Sequence, residues 1–261
     1  MSAPRVDDFD LLRERIVLEG TLTTRTALHV GGGSGELDAV DLPVVKTNLG
    51  DPFIPGSSIK GVVRSTVEGL LRAAGIEGLY ACNPLDENTS CGAPKDKDRG
   101  GPLGDHCSAC RLFGSHLVAS HVRFSDAHLA RKGGLSPLEK RDGVSIDRDL
   151  RVAADKRKYD VEVVSPGTTF SLEILVQNPE PWSLGLLLAG LDPLKSGFTA
   201  LGGFTSRGLG RVDITWTSLT RMTAKQLLTG TKPARFEQQS EIEGELDRWR
   251  AALAARAEGR S

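Results

Sequence analysis

All four cysteines of the chain lie between Cys82 and Cys110, in the pattern Cys82-x8-Cys91-x15-Cys107-x2-Cys110. Only the last pair has tight CxxC spacing, and the other two are looser. Four thiolates suit a closed, tetrahedral, structural Zn2+ site, and His106 is able to stand in for one of them. The alternative is four unrelated free thiols. Against it, these are all the cysteines present, and they occupy the segment least able to build a core. Zinc would supply the folding energy that this segment's composition lacks. A closed site implies no catalytic position.

Three other motifs have chemistry suited to a phosphate backbone. The first, Leu28-His29-Val30-Gly31-Gly32-Gly33, lets backbone amides near Gly32 and Gly33 approach an anion without a Cβ in the way. Alone it is also a plain flexible turn, and His29 alone is also a satisfied structural histidine. The second runs from Phe53 to Arg64 and reads FIPGSSIKGVVR. Ser57 or Ser58 is a natural N-cap, a helix start offers free amides, and Lys60 and Arg64 share a stripe. An ordinary capped amphipathic helix with solvated cations fits the same residues. The third, from Leu201 to Arg211, sets Gly202, Gly203, Gly208 and Gly210 around Arg207 at the opening of a strand. Three such loops in one small fold are harder to dismiss than any one.

These loops need elements to position them. Alternation of Ile16, Leu18 and Leu22 with mostly polar neighbours predicts a half-buried strand over 15–22. A helix is predicted over 58–74, with Ile59, Val62, Val63, Val67, Leu70 and Leu71 on one face. Strands follow at 121–125 and 169–174, a helix at 182–194 and a strand at 211–216. A charged stretch over 139–162 separates the two middle strands. Strand, helix, strand, strand, helix, strand is the α+β ferredoxin-like, split βαβ order, shared with RNA-recognition motifs. Those motifs stack bases on sheet aromatics. Here the outward positions are Arg123, Ser125, Ser171, Glu173, Asp213 and Thr215, so any RNA contact falls to loops and insertions. Residues 1–220 are expected to form this domain, with insertions at 76–112 and 136–166. Residues 221–261 form a C-terminal helical tail whose Ile242, Leu246, Trp249 and Leu253 either dock on the body or face a partner.

With 261 residues the chain can bury one sizeable core. Ordinary apolar and charged fractions exclude the disordered and membrane classes. No apolar signal core or membrane-length apolar run is present, so the cytoplasm is expected, with no membrane partner. A net charge of −1 requires that cations for nucleic acid be gathered locally.

Taken together, LHVGGG, DLPVVK, PFIPGSSIKGVVRS, RLFGS and LGGFTSRGLGRV resemble the hallmarks of the RAMP superfamily, in order and over most of residues 15–216. The resemblance is to the backbone subunits of type III CRISPR effector complexes. Zinc-bearing insertions also occur in the III-D and III-E branches of that group.

The resemblance implies that copies of the chain stack along one guide RNA, beside other CRISPR effector subunits. A β-hairpin thumb from each copy would push between guide and single-stranded target RNA. The stretch containing Arg148 sits where that thumb belongs, although its mixed charge by itself reads as a solvated loop. In catalytic relatives an acidic residue after the first glycine motif cuts target RNA, and the matching pattern Ala39-Val40-Asp41-Leu42-Pro43-Val44 points to Asp41. Asp38 is the second candidate. Such a carboxylate would help bind a divalent cation such as Mg2+, or assist activation of a ribose 2′-OH to leave a 2′,3′-cyclic phosphate. RNA contacts are expected from His29, Gly32, Gly33, Ser57, Ser58, Lys60, Arg64, Arg148, Gly203 and Arg207. Two alternatives stand beside this reading: an inactive guide-RNA scaffold of the same complex, and a precursor-processing ribonuclease using His29 as acid-base.

Overall fold

The computed structural model describes residues 11–33, 40–86, 88–91, 106–130, 136–146 and 153–259, with 145–146 and 153–157 as backbone. Asp38 and Arg148 lie outside the described residues. In chain order the first elements are β1 (Glu14–Thr24), β2 (Phe53–Ile54), α1 (Gly56–Ala74), α2 (Ser108–Phe113), β3 (Val122–Phe124) and β4 (Ala127–His128). Next come β5 (Leu138–Ile146), β6 (Ala153–Val164), β7 (Thr169–Gln177) and α3 (Pro181–Ser196). The last are β8 (Val212–Thr223), α4 (Ala224–Thr229), β9 (Ala234–Phe236) and α5 (Gln239–Ala257).

Alternation along β1 buries Ile16, Leu18 and Leu22 completely, and β1 is the central strand of an antiparallel sheet ordered β3-β7-β1-β8-β9. Its buried face shares one core with Ile59, Val63 and Val67 of α1 and Leu187, Leu191 and Leu194 of α3. The opposite face carries Arg123, Ser171, Glu173 and Thr215 exposed and Ser125 and Asp213 half-buried, with Glu19 paired across to Glu173. The aromatic residues Phe124, Phe170 and Trp216 face the core, which leaves this sheet surface polar, as the strand periodicity requires.

Helix α3 buries Leu186 as well as the predicted stripe of Leu184, Leu187, Leu188 and Leu191. The reason is α5, which docks on its far side through Ile242, Leu246 and Trp249. Contact there is close enough that a Cβ on Gly185 would sit 2.3 Å from the Trp249 carbonyl oxygen.

Two local expectations change, at the start of α1 and at the end of the final strand. Helix α1 starts at Gly56 with Pro55 in the cap position and no side-chain cap, so Ser57 and Ser58 lie inside the first turn. Asp126 accepts a hydrogen bond from Gly56 N–H at 2.8 Å and does the capping from outside. The final strand runs on to Thr223, and the tail adds strand β9 to the sheet edge as well as two helices. The charged stretch forms the β5–β6 hairpin, paired from Leu138↔Val164 to Val144↔Lys158 and again at Ile146↔Ala153. Diagonal ion pairs, Lys140 with Asp160 at 2.5 Å and Lys158 with Asp142 at 2.9 Å, make its charges mutually compensating.

Candidate functional site

The root of β6 is where the separated motifs meet. On one side Leu28 pairs with Val164 through two backbone hydrogen bonds, of 2.9 and 2.7 Å. Just beyond, His29 Nδ1 donates to the Glu162 carbonyl at 2.8 Å. On the other side, the acidic loop adds to β6 in parallel register at Leu42↔Val161. Leu42 N–H donates to Asp160 O, and Glu162 N–H donates to Leu42 O, both at 3.0 Å. The Asp41 carboxylate is exposed, and its Oδ2 accepts from Asp160 N–H at 2.9 Å.

The glycine-rich third motif closes over the first. Gly203 N–H donates to His29 O at 2.8 Å, and Gly210 N–H donates to Ala27 O at 2.9 Å. Gly202 has φ +82°, and a Cβ there would lie 2.2 Å from His29 O, so only glycine fits. Phe204 meets the His29 ring edge-on at 5.1 Å. Arg207 is exposed, lies 5.1 Å over the Phe204 ring, and donates to Tyr159 Oη at 2.5 Å. Gly32 N–H donates to Pro43 O at 3.1 Å, tying the first glycine loop to the acidic loop, while Gly33 is exposed at φ +81°.

His29 is 6% exposed and bonded at Nδ1, which makes it a fixed part of this junction. The second motif stands apart from it. Ser57 is exposed and Ser58 half-buried at the start of α1. Lys60 Nζ donates to Ser120 Oγ at 2.8 Å; burial first, and Arg64 second, hold its pKa below the usual lysine value. Arg64 points inward, donating to Glu68 at 2.7 Å and to Gly114 O at 3.1 Å, with Cys110 Sγ 3.7 Å away.

Arg64 therefore belongs to the cysteine cluster. The sulfurs of Cys82, Cys91, Cys107 and Cys110 all lie within 4.8 Å of one another, although their segments are far apart in sequence. Helix α2 begins at the CxxC, and Cys110 N–H donates to Cys107 Sγ at 3.4 Å. The thiols cannot all ionise at this separation without a cation. A hydrogen bond from the Cys110 thiol pulls Cys107 down to about 5, and its counterpart pushes Cys110 up. Burial pushes Cys91 up to about 12. A divalent cation resolves this competition, and four sulfurs fit a tetrahedral thiophilic ion. The set is complete without His106, which is buried, with neither ring nitrogen hydrogen-bonded among the described residues.

The residue that sequence reasoning missed is Glu162. It is 8% exposed; Oε2 accepts from Val44 N–H at 3.1 Å and Oε1 pairs with Lys46 Nζ at 2.8 Å. Its signal in the sequence is a carboxylate flanked by Val161, Val163 and Val164.

A family model described as the RAMP superfamily matches residues 21–213. Similar curated proteins carry the name CRISPR system Cms endoribonuclease Csm3. That of Methanocaldococcus jannaschii is 25% identical over 259 residues, covering 91% of this chain and 95% of that protein. That of Mycobacterium tuberculosis is 28% identical over 171 residues, covering 62% and 64% respectively. That of Enterococcus italicus is 27% identical over 215 residues, covering 76% and 88%.

Proposed function

The chain belongs to the RAMP superfamily, and from that premise we propose that it is a type III CRISPR backbone subunit that binds guide RNA and cleaves target RNA. The observation that carries this reading is the convergence of three segments beside β6 of the hairpin: the first glycine loop, the Asp41 loop and the glycine-rich loop. Similarity to named endoribonucleases over most of the chain supports the enzymatic half. The sheet order and the helices after β1 and β7 support a ferredoxin-like split βαβ core.

In this reading the polar sheet face stays off the bases, and RNA runs along the loops. Exposed Arg207, Gly33 and Ser57 contact phosphates, with Ser58, Lys60, Gly32 and Gly203 shaping the path. The β5–β6 hairpin is the thumb, placed by its root directly beside Asp41. Asp41 has one carboxylate oxygen on the Asp160 amide and the other available to take the proton of a target 2′-OH. The deprotonated ribose 2′-oxygen attacks the adjacent phosphorus, the P–O5′ bond breaks with the 5′-oxygen taking a proton from water, and a 2′,3′-cyclic phosphate remains. Among the described residues the only group of three or more potential metal ligands is the thiol set. The described residues form no carboxylate cage for Mg2+. Cys82, Cys91, Cys107 and Cys110 would hold Zn2+, which supplies cross-linking of the 76–112 insertion. Buried, hydrogen-bonded His29 disfavours the precursor-processing alternative, which needs it free for proton transfer.

Native mass spectrometry with guide RNAs of increasing length tests the backbone role. The number of bound copies should rise with RNA length. A single copy at every length, or no binding, contradicts it.

A further inference from the structure

Glu162 is a buried acid that the proposed reaction does not consume. We propose that it is a positioning residue whose carboxylate locks the Asp41 loop onto the root of the β5–β6 hairpin, so that the hairpin sets where Asp41 sits. The inference rests on the cleavage role given to Asp41 above.

A buried carboxylate is costly unless each oxygen is matched. Both oxygens of Glu162 are matched, and both partners are residues of the acidic loop: Val44 N–H through Oε2 and Lys46 Nζ through Oε1. The Glu162 backbone adds to the lock, because its N–H donates to Leu42 O and its carbonyl accepts from His29 Nδ1. One residue thus holds the loop at Leu42, Val44 and Lys46 while fixing the first glycine motif. Asp41 itself is exposed, and among the described residues its carboxylate is tied through the Asp160 amide on the same strand. Any shift of β6 when the hairpin meets a guide–target duplex is therefore transmitted to the Asp41 carboxylate. A loop hinged at its ends alone would be free to ignore such a shift.

The test is Glu162→Gln in the subunit assembled on guide RNA, with Asp41→Asn beside it and in combination. Glutamine keeps the shape but places an amide donor where Val44 N–H or Lys46 also donates. Cleavage kcat should fall about tenfold or more, as expected when a reacting group is misplaced by roughly an ångström. Target affinity and copies per guide should stay at wild-type values. Hydrogen exchange at Leu42, Val44 and Asp160 should quicken, and Asp41→Asn should not be worsened by adding Glu162→Gln. Wild-type kcat for Glu162→Gln beside an inactive Asp41→Asn overturns this inference alone. Wild-type kcat for Asp41→Asn overturns the role of Asp41 and this inference with it. Equal losses of guide binding and kcat in Glu162→Gln also overturn it, because they mark general loosening. Should Glu162→Gln fail to fold, Lys46→Met removes one partner of the same lock from its more exposed side. It should show the same kcat loss, and a wild-type rate there overturns the proposal.

Discussion

Gly202→Ala is the sharpest perturbation of the junction that joins the glycine motifs. Its backbone is left-handed at φ +82°, a conformation that costs an alanine about 1–2 kcal/mol. The new methyl would also stand 2.2 Å from the His29 carbonyl oxygen, a backbone atom that cannot swing aside. Relief requires separating the two strands of backbone and stretching the Gly203 N–H to His29 O hydrogen bond. Leaving those groups unmatched adds about 1–3 kcal/mol, so the total is about 2–5 kcal/mol. Gly208→Ala is the control. It has φ +87° and nothing within 4 Å of the added methyl, so only the left-handed cost of about 1–2 kcal/mol applies. In urea unfolding followed by circular dichroism, both variants should keep the wild-type slope. Gly202→Ala should lower the midpoint clearly further than Gly208→Ala. In thermal unfolding the gap between them, about 1–3 kcal/mol, corresponds to roughly 2–12 °C for a chain of this size. Equal stability of the two variants would refute the close approach of the third motif to His29.

Acidification tests the metal centre: Cys107, lowered in the folded protein to about 5, contributes stability that is complete above the ordinary thiol value and lost as pH falls through about 5. Metal analysis should find one Zn2+ per chain at neutral pH, released to a chromophoric chelator on acidification as protons compete for the thiolates. Full retention in strong acid, or no metal in freshly purified protein, contradicts the assignment. Arg64→Ala should speed zinc loss about tenfold by removing the cation beside Cys110, while guide-RNA affinity stays near wild type. A large RNA defect with unchanged zinc retention would return Arg64 to the RNA surface.

Period alone located β1, α1 and β8, because each buries one regular stripe: Ile16, Leu18 and Leu22 in one case, Ile59, Val63 and Val67 in another. Apolar periodicity marks only Tyr159, Val161 and Val163 of β6, the charges of β5 mask the other strand, and the family resemblance alone pointed to the β5–β6 hairpin. Its strand character lies in cross-strand pairs such as Lys140 with Asp160 and Lys158 with Asp142, which no single segment displays. The four cysteines were legible as one cluster because thiol chemistry demands company. Arg64 was not legible as their neighbour, since a cation four residues from Lys60 on a helix face looks solvated until Gly114 and Cys110 fold beneath it. Glu162 was missed for a related reason. Its partners, Val44 and Lys46, lie more than a hundred residues away and offer a backbone amide and an ordinary lysine.

In the proposed function Asp41, held beside the hairpin root, cuts target RNA in a chain that polymerises along a guide. The direct measurement is the product pattern of an end-labelled complementary RNA, cut by complex containing either the wild-type subunit or Asp41→Ala. The wild-type complex should yield a ladder of evenly spaced products ending in 2′,3′-cyclic phosphate. Asp41→Ala should bind the same target equally well and leave it whole. An unchanged ladder from the Asp41→Ala complex would contradict the account.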